Sequence, residues 1–182
     1  MIIDVHTHIG INPENGHKTV ALDLVNAMKK AGVTHALVLA FEFDKRSGIT
    51  TEELIQELHS YPTLFPIGTA SPFSLTREKL SRIGDLLKKN RIWGIKLYLG
   101  YEHFYPDDER LWPLYELCSS LGKPIIYHTG FLWDPGKVGL AKYAHPLAID
   151  DVASRFPQLK IVIAHMGNPW FADCAVVPAC GR

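Results

Sequence analysis

The chain has 182 residues, 47% of them hydrophobic and 21% charged, with a formal net charge of zero. That length supports one sizeable core and is short for two domains, and the neutral balance argues against electrostatic capture of nucleic acid or an anionic membrane surface. No apolar run approaches the ~18 residues needed to span a bilayer. The N-terminus opens directly as a strand, without a basic region or cleavage site, so no signal peptide is expected. Cys118, Cys174 and Cys180 are an odd count without zinc-ribbon spacing, which predicts reduced thiols and a cytoplasmic location.

In chain order, residues 2–8 read as a strand. Its tail, Asp4-Val5-His6-Thr7-His8, alternates so that Asp4, His6 and His8 share one face. Two imidazoles ~7 Å apart along a strand can grip one metal ion, and a carboxylate beside them can orient an imidazole N–H. Thr19 is expected to cap a helix to about Ala31, with Val20, Leu24, Ala27 and Met28 at helical spacing and Gly32 as its stop. Residues 34–40 form an apolar strand, and Thr50 or Thr51 starts a helix through about His59. Residues 64–70 are a third strand, weakened by Pro66, and Leu75 to Asn90 a third helix with Ile83, Leu86 and Leu87 on its apolar side.

Residues 92–98 form a fourth strand, followed by a loop rich in aromatics and acids. Asp107 or Asp108 caps a helix to about Leu121, closed by Gly122, and 123–129 is a fifth strand. His145-Pro146 opens a helix to about Phe156, with proline suited to the first turn, and 159–165 is the sixth strand. Apolar strands alternating with amphipathic helices predict an α/β fold with parallel strands. An open doubly wound sheet and a (β/α)8 barrel both fit this order. Neither a dinucleotide-binding glycine fingerprint nor a phosphate loop occurs. Instead His6 and His8, Lys96, His128 and His165 fall at the C-terminal ends of strands one, four, five and six, the face at which βα barrels collect their active sites. That favours the barrel, of which about six βα units are present.

Four motifs in register, D-V-H-T-H at 4–8, G-I-K-L-Y at 94–98, H-T-G at 128–130 and A-H-M-G at 164–167, resemble the amidohydrolase superfamily. The nearest branch is the amidohydrolase-related group that includes aminocarboxymuconate-semialdehyde decarboxylase. The resemblance covers residues 2 to about 174. It implies that His6, His8 and His128 bind a divalent metal, usually Zn2+, and that His165 polarises substrate and activates water or binds a second metal. Lysine on strand four is a carbamylated bridge in some binuclear relatives; in this branch Lys96 is expected to remain an ammonium near the substrate. Asp4 is assigned a supporting role behind the ligands, the alternative being that it serves the turn after the first strand.

Each assignment has a plainer alternative: His128 and His165 as satisfied histidines at strand ends, and Lys96 as a strand-end lysine emerging into solvent. Tyr98, Tyr101, Phe104, Tyr105 and Trp133 line a substrate mouth or simply pack. His17, His35, His59 and His103 lack ligand spacing and read as surface residues, and His145 reads as a helix-start residue.

The family places an essential aspartate at the end of an eighth strand. Here Asp173 is the only acid after His165 and belongs to the sixth helix. Residues 1–174 therefore read as an incomplete barrel domain and 175–182 as an atypical tail that loses helical period and contains Pro178, as a C-terminal truncation would give. Six parallel strands leave two open edges, which predicts weak autonomous stability or closure by another chain, possible homo-oligomers included. The expected function is a metal-dependent hydrolase acting on C–N or C–O bonds of a small carboxylated molecule. The alternatives are a non-oxidative decarboxylase on the same scaffold, a metal-binding fragment without turnover, or a scaffold without metal. The expected partner is a small-molecule substrate, with neither nucleic acid nor membrane.

Overall fold

The computed structural model describes residues 1–11, 16–42, 48–133 and 139–177. Pro178 and Cys180, and with them most of the tail at 175–182, lie outside the described residues. The chain divides into two compact units: Met1–Thr69 with Lys89–Trp93, and Ala70–Lys88 with Gly94–Arg182.

The first unit holds β1 (Ile3–Thr7), α1 (Ala21–Ala31), β2 (His35–Leu39), α2 (Thr51–Leu58) and β3 (Leu64–Thr69). β2 pairs in parallel with both its neighbours, Asp4 lying opposite Ala36 and Ala36 opposite Leu64. Parallel neighbours need a crossover between them, and α1 and α2 supply it. Ala36, Val38 and Ala40, from β2 and the residue after it, are fully buried among Met28 of α1, Leu54 and Leu58 of α2, and Leu64 of β3. Thr50 accepts from the Glu53 amide at 3.2 Å while Glu53 Oε2 accepts from the Thr50 amide at 2.9 Å, a reciprocal cap that fixes the start of α2. Thr19 does not cap α1. It pairs with Gly10 in a two-residue antiparallel ladder, and Val20 stands at the cap position, its amide donating to Asp23 Oδ2 at 3.0 Å.

The second unit holds α3 (Arg77–Lys88), β4 (Ile95–Leu97), α4 (Trp112–Leu121), β5 (Pro124–Tyr127), α5 (Asp150–Arg155), β6 (Lys160–Ile163) and α6 (Phe171–Val176). β5 is the central parallel strand, with Ile125 opposite both Ile95 and Ile161. Asp108 caps a 3-10 turn, Glu109–Leu111, that leads into α4, and Gly122 ends that helix. The single helix expected from His145 to Phe156 is a 3-10 turn, Pro146–Ile149, followed by the shorter α5. His145 caps the turn by accepting from the Leu147 amide at 3.4 Å. α6 runs to Val176, past the point where helical period was expected to end. Among the described residues no helix is long and apolar enough to cross a membrane.

All six strands are shorter than the apolar runs that signal them. His8, His128 and His165 consequently stand just beyond the ends of β1, β5 and β6, on the turns that leave each strand.

Candidate active site

In the first unit, the β1–β2 register shifts between Asp4 and Thr7, so strict alternation fails where the histidines begin. Thr7 turns inward, its hydroxyl donating to Leu37 O at 2.8 Å. The rings of His6 and His8 converge, with centroids 5.2 Å apart. His8 Nδ1 donates to Leu39 O at 3.2 Å, and Phe41 packs edge-on at 5.4 Å. That bond selects the tautomer whose Nε2 carries the lone pair, the outer-sphere arrangement that metal-binding imidazoles use. Asp4 acts through the backbone: its Oδ1 accepts from the His6 amide at 3.0 Å.

In the second unit, Lys96 lies at the centre of β4 and is fully buried. Loss of water around the ammonium pulls its pKa down to about 7. Its Nζ stands 5.5 Å from the centre of the Tyr98 ring. A lysine emerging into solvent is thus excluded. Burial, with the nearby Tyr101, drives the Tyr98 phenol well above its ordinary range, so that side chain stays protonated.

His128, buried behind the end of β5, donates from Nε2 to Phe131 O at 3.1 Å, leaving Nδ1 as the lone-pair nitrogen. Its ring meets those of Tyr101 and His165, each with centroids 4.8 Å away. His165 holds a left-handed backbone conformation, φ 62°. Its pKa lies below the ordinary histidine value because burial removes water and the Lys96 charge opposes a second cation. At neutral pH its imidazole is neutral and able to accept a proton or a metal ion.

Lys96, His128 and His165 are therefore neighbours within one unit, while Asp4, His6 and His8 are neighbours within the other. Among the described residues no three His, Cys, Asp or Glu side chains are grouped so as to hold a metal ion. The donor chemistry of the His6–His8 pair, two imidazoles with one tautomer fixed by a carbonyl, nevertheless fits half of a divalent-metal ligand set.

Of the loop aromatics, Tyr98 and Phe104 are buried and pack. Tyr101 both lies against His128 and secures the backbone of Trp133, its hydroxyl accepting from the Trp133 amide at 3.0 Å. His145 reaches Asp173 at 3.3 Å and lies against Trp170, so it belongs to the packing of α6. His17, His59 and His103 are exposed, and His35 stacks on Phe65. Two residues of the H-T-G motif were given no role by sequence: Thr129, buried with its hydroxyl on the loop that carries His165, and Gly130, whose backbone seats on that loop.

The amidohydrolase family model matches residues 3–176. No curated protein matches. Among solved structures, an uncharacterized TIM-barrel protein from Bordetella bronchiseptica is 22% identical over 97% of this chain and 70% of its own, with a TM-score of 0.75. A probable 2-pyrone-4,6-dicarboxylic acid hydrolase from Acinetobacter baumannii is 16% identical over 91% and 58% of the two chains, TM-score 0.65. 5-Carboxyvanillate decarboxylase from Sphingomonas paucimobilis is 14% identical over 93% and 68%, TM-score 0.67. The likeness decides between the two α/β architectures in favour of the (β/α)8-barrel type, with six βα units among the described residues. The chain spans 58% of the length of the hydrolase and 70% of the Bordetella protein.

Proposed function

The chain belongs to the amidohydrolase family, and from that premise we propose that it is a metal-dependent hydrolase acting on a C–N or C–O bond of a small carboxylated molecule. The observation that carries this reading is the pairing of imidazoles at strand ends, 5.2 Å between His6 and His8 and 4.8 Å between His128 and His165. His6, His8 and His128 are assigned as ligands of one divalent ion, Zn2+ in this reading, because three protein donors with an open position are the catalytic zinc arrangement. When bound, the ion would supply Lewis acidity, polarising a carbonyl and acidifying a water to a pKa of ~7.

The chain's own groups do the rest. Leu39 O keeps the His8 tautomer, and Asp4 steadies the irregular stretch of β1 at the His6 amide. His165, neutral near pH 7, takes the proton of the attacking water, in the role the family gives to the strand-eight aspartate. Lys96, buried beside it, pairs with the substrate carboxylate or steadies charge developing on the carbonyl oxygen. The partner is a small molecule rather than nucleic acid or membrane, and the free thiols of Cys118 and Cys174 suit the reducing cytoplasm.

A second reading, non-oxidative decarboxylation, draws support from the likeness to 5-carboxyvanillate decarboxylase. His165 would then take up a proton from solvent and deliver it to the carbon that loses CO2. Zinc- and manganese-loaded protein is to be assayed on small lactones, amides and carboxylated aromatics, with metal content measured in parallel. Ring opening or amide cleavage without CO2 is the expected result, and CO2 release establishes the decarboxylase instead. His6→Ala is expected to strip the metal and abolish turnover. Metal that binds in a His6-dependent way without turnover on any substrate overturns both enzyme readings, and a chain that takes up no metal overturns the metal assignment.

A further inference from the structure

The two motif loops of the second unit are locked together by a residue that the proposed chemistry does not use. His165, Met166 and Gly167 are three consecutive residues with positive φ, at 62°, 51° and 66°. Histidine and methionine disfavour that region because Cβ crowds the following carbonyl, so the segment relaxes unless its surroundings hold it. The restraint comes from Thr129, which is fully buried. Its hydroxyl donates to Ala164 O at 2.5 Å and accepts from the Gly167 amide at 3.2 Å. Those two backbone groups bracket the left-handed turn, one before His165 and one after Met166.

The next residue tightens the same seam. A Cβ on Gly130 would stand 2.2 Å from Asn168 O, so its backbone lies directly on the exit of the turn. The Phe131 amide donates to Asn168 O at 2.7 Å. One hydroxyl beside His128 thus ties both ends of the turn that presents His165, and the two rings meet edge to face with centroids 4.8 Å apart.

We infer that Thr129 is the positioning residue for His165, holding its imidazole against that of His128 by restraining the strained turn. The inference rests on the reading of His165 as a catalytic group, but the placement is measurable without turnover. In the full metal-free chain with labelled histidines, a ring-to-ring NMR cross-peak between His128 and His165 is expected, together with slow exchange of the Gly167 amide. Thr129→Ser keeps the hydroxyl and is expected to keep both signals. Thr129→Val keeps the shape without the hydroxyl and is expected to lose both while its far-UV circular dichroism stays unchanged.

Where turnover is found, Thr129→Val is expected to lower kcat by about a hundredfold with KM unchanged, and Thr129→Ser to restore it. A cross-peak and rate that survive Thr129→Val overturn the inference. If that variant does not fold, a Gly167 amide in the parent chain that exchanges as fast as a free peptide overturns it alone. A chain that turns nothing over but shows the hydroxyl-dependent signals removes the functional reading and leaves the positioning role standing.

Discussion

Lys96 concentrates the electrostatic cost of the candidate site in one atom. Its side chain has no exposure, and a pKa of about 7 leaves about half the population protonated at neutral pH. The linkage sign follows from the folded state holding its proton less tightly than the unfolded chain, whose lysine titrates near 10.5. Between those values the unfolded state binds more protons, so stability rises with pH by up to about 1.4 kcal/mol per unit. Above pH 9 an opposite slope enters: burial pushes the Cys118 thiol up to about 12, so the folded state keeps a proton that the unfolded chain releases. The rise is therefore expected between about pH 7 and 9 and to flatten beyond. Urea unfolding across pH 6–10 checks this. Lys96→Met, which replaces the ammonium with an apolar chain of similar length, is expected to flatten the rise and to raise stability at pH 7 while removing turnover. A wild-type slope that persists in Lys96→Met would falsify the assignment to this group.

At the scale of elements, caps decide where the helices begin. The Thr50–Glu53 box satisfies two amides at the start of α2, so Thr50→Ala is expected to cost about 1 kcal/mol, read as a shift in the urea midpoint with unchanged slope. A shift below experimental error would show that solvent caps this helix equally well. The start of α2 was legible to within one residue, as Thr50 or Thr51, because a threonine before an apolar helical face is a local signal; the structure assigns the cap to Thr50. Val20 before α1 was not, since Thr19 reads equally well as a cap and only its pairing with Gly10 takes it out of that role. The strand order was legible from apolar runs, but the ends were not, because the ladder stops where the partner strand stops. The same limit governs the site. His6 and His8 announce themselves through spacing, whereas burial of Lys96 depends on β5 lying beside it, and Ile126 opposite Lys96 is 30 residues away. Thr129 is the extreme case: the carbonyl and amide it bridges are 35 and 38 residues distant, and nothing nearby in the chain marks it.

For the whole molecule, the distribution of apolar surface is the informative quantity. On β1, Ile3 and Val5 are 47% and 53% exposed, and Ile2 before them is 57% exposed. Near β6 the same holds for Val162 at 39%, with Met166 and Phe171 beyond it at 67% and 52%. Among the described residues each of these strands pairs on one side only, β1 with β2 and β6 with β5. An edge that combines unpaired backbone groups with exposed β-branched side chains is a template for another strand, and charged residues are the usual device that blocks it. The charges these strands carry are Asp4 beside Val5 and Lys160 two residues before Val162, one to an edge. Because each edge still presents exposed apolar side chains, the chain is expected to self-associate as concentration rises, with the weight-average mass in sedimentation equilibrium climbing above that of the monomer. Val5→Lys and Val162→Lys place a charge on each edge in turn. If strand edges drive the association, either substitution weakens it, the two together weaken it most, and secondary structure is unchanged. If the doubly substituted chain associates as strongly as the parent, the contact lies elsewhere, and the exposed helix residues Leu22, Phe171 and Val176 become the next surface to charge. The two outcomes separate because a strand edge offers backbone partners that a helix face does not, so edge-driven association adds β-structure to the amide I spectrum and face-driven association leaves it unaltered.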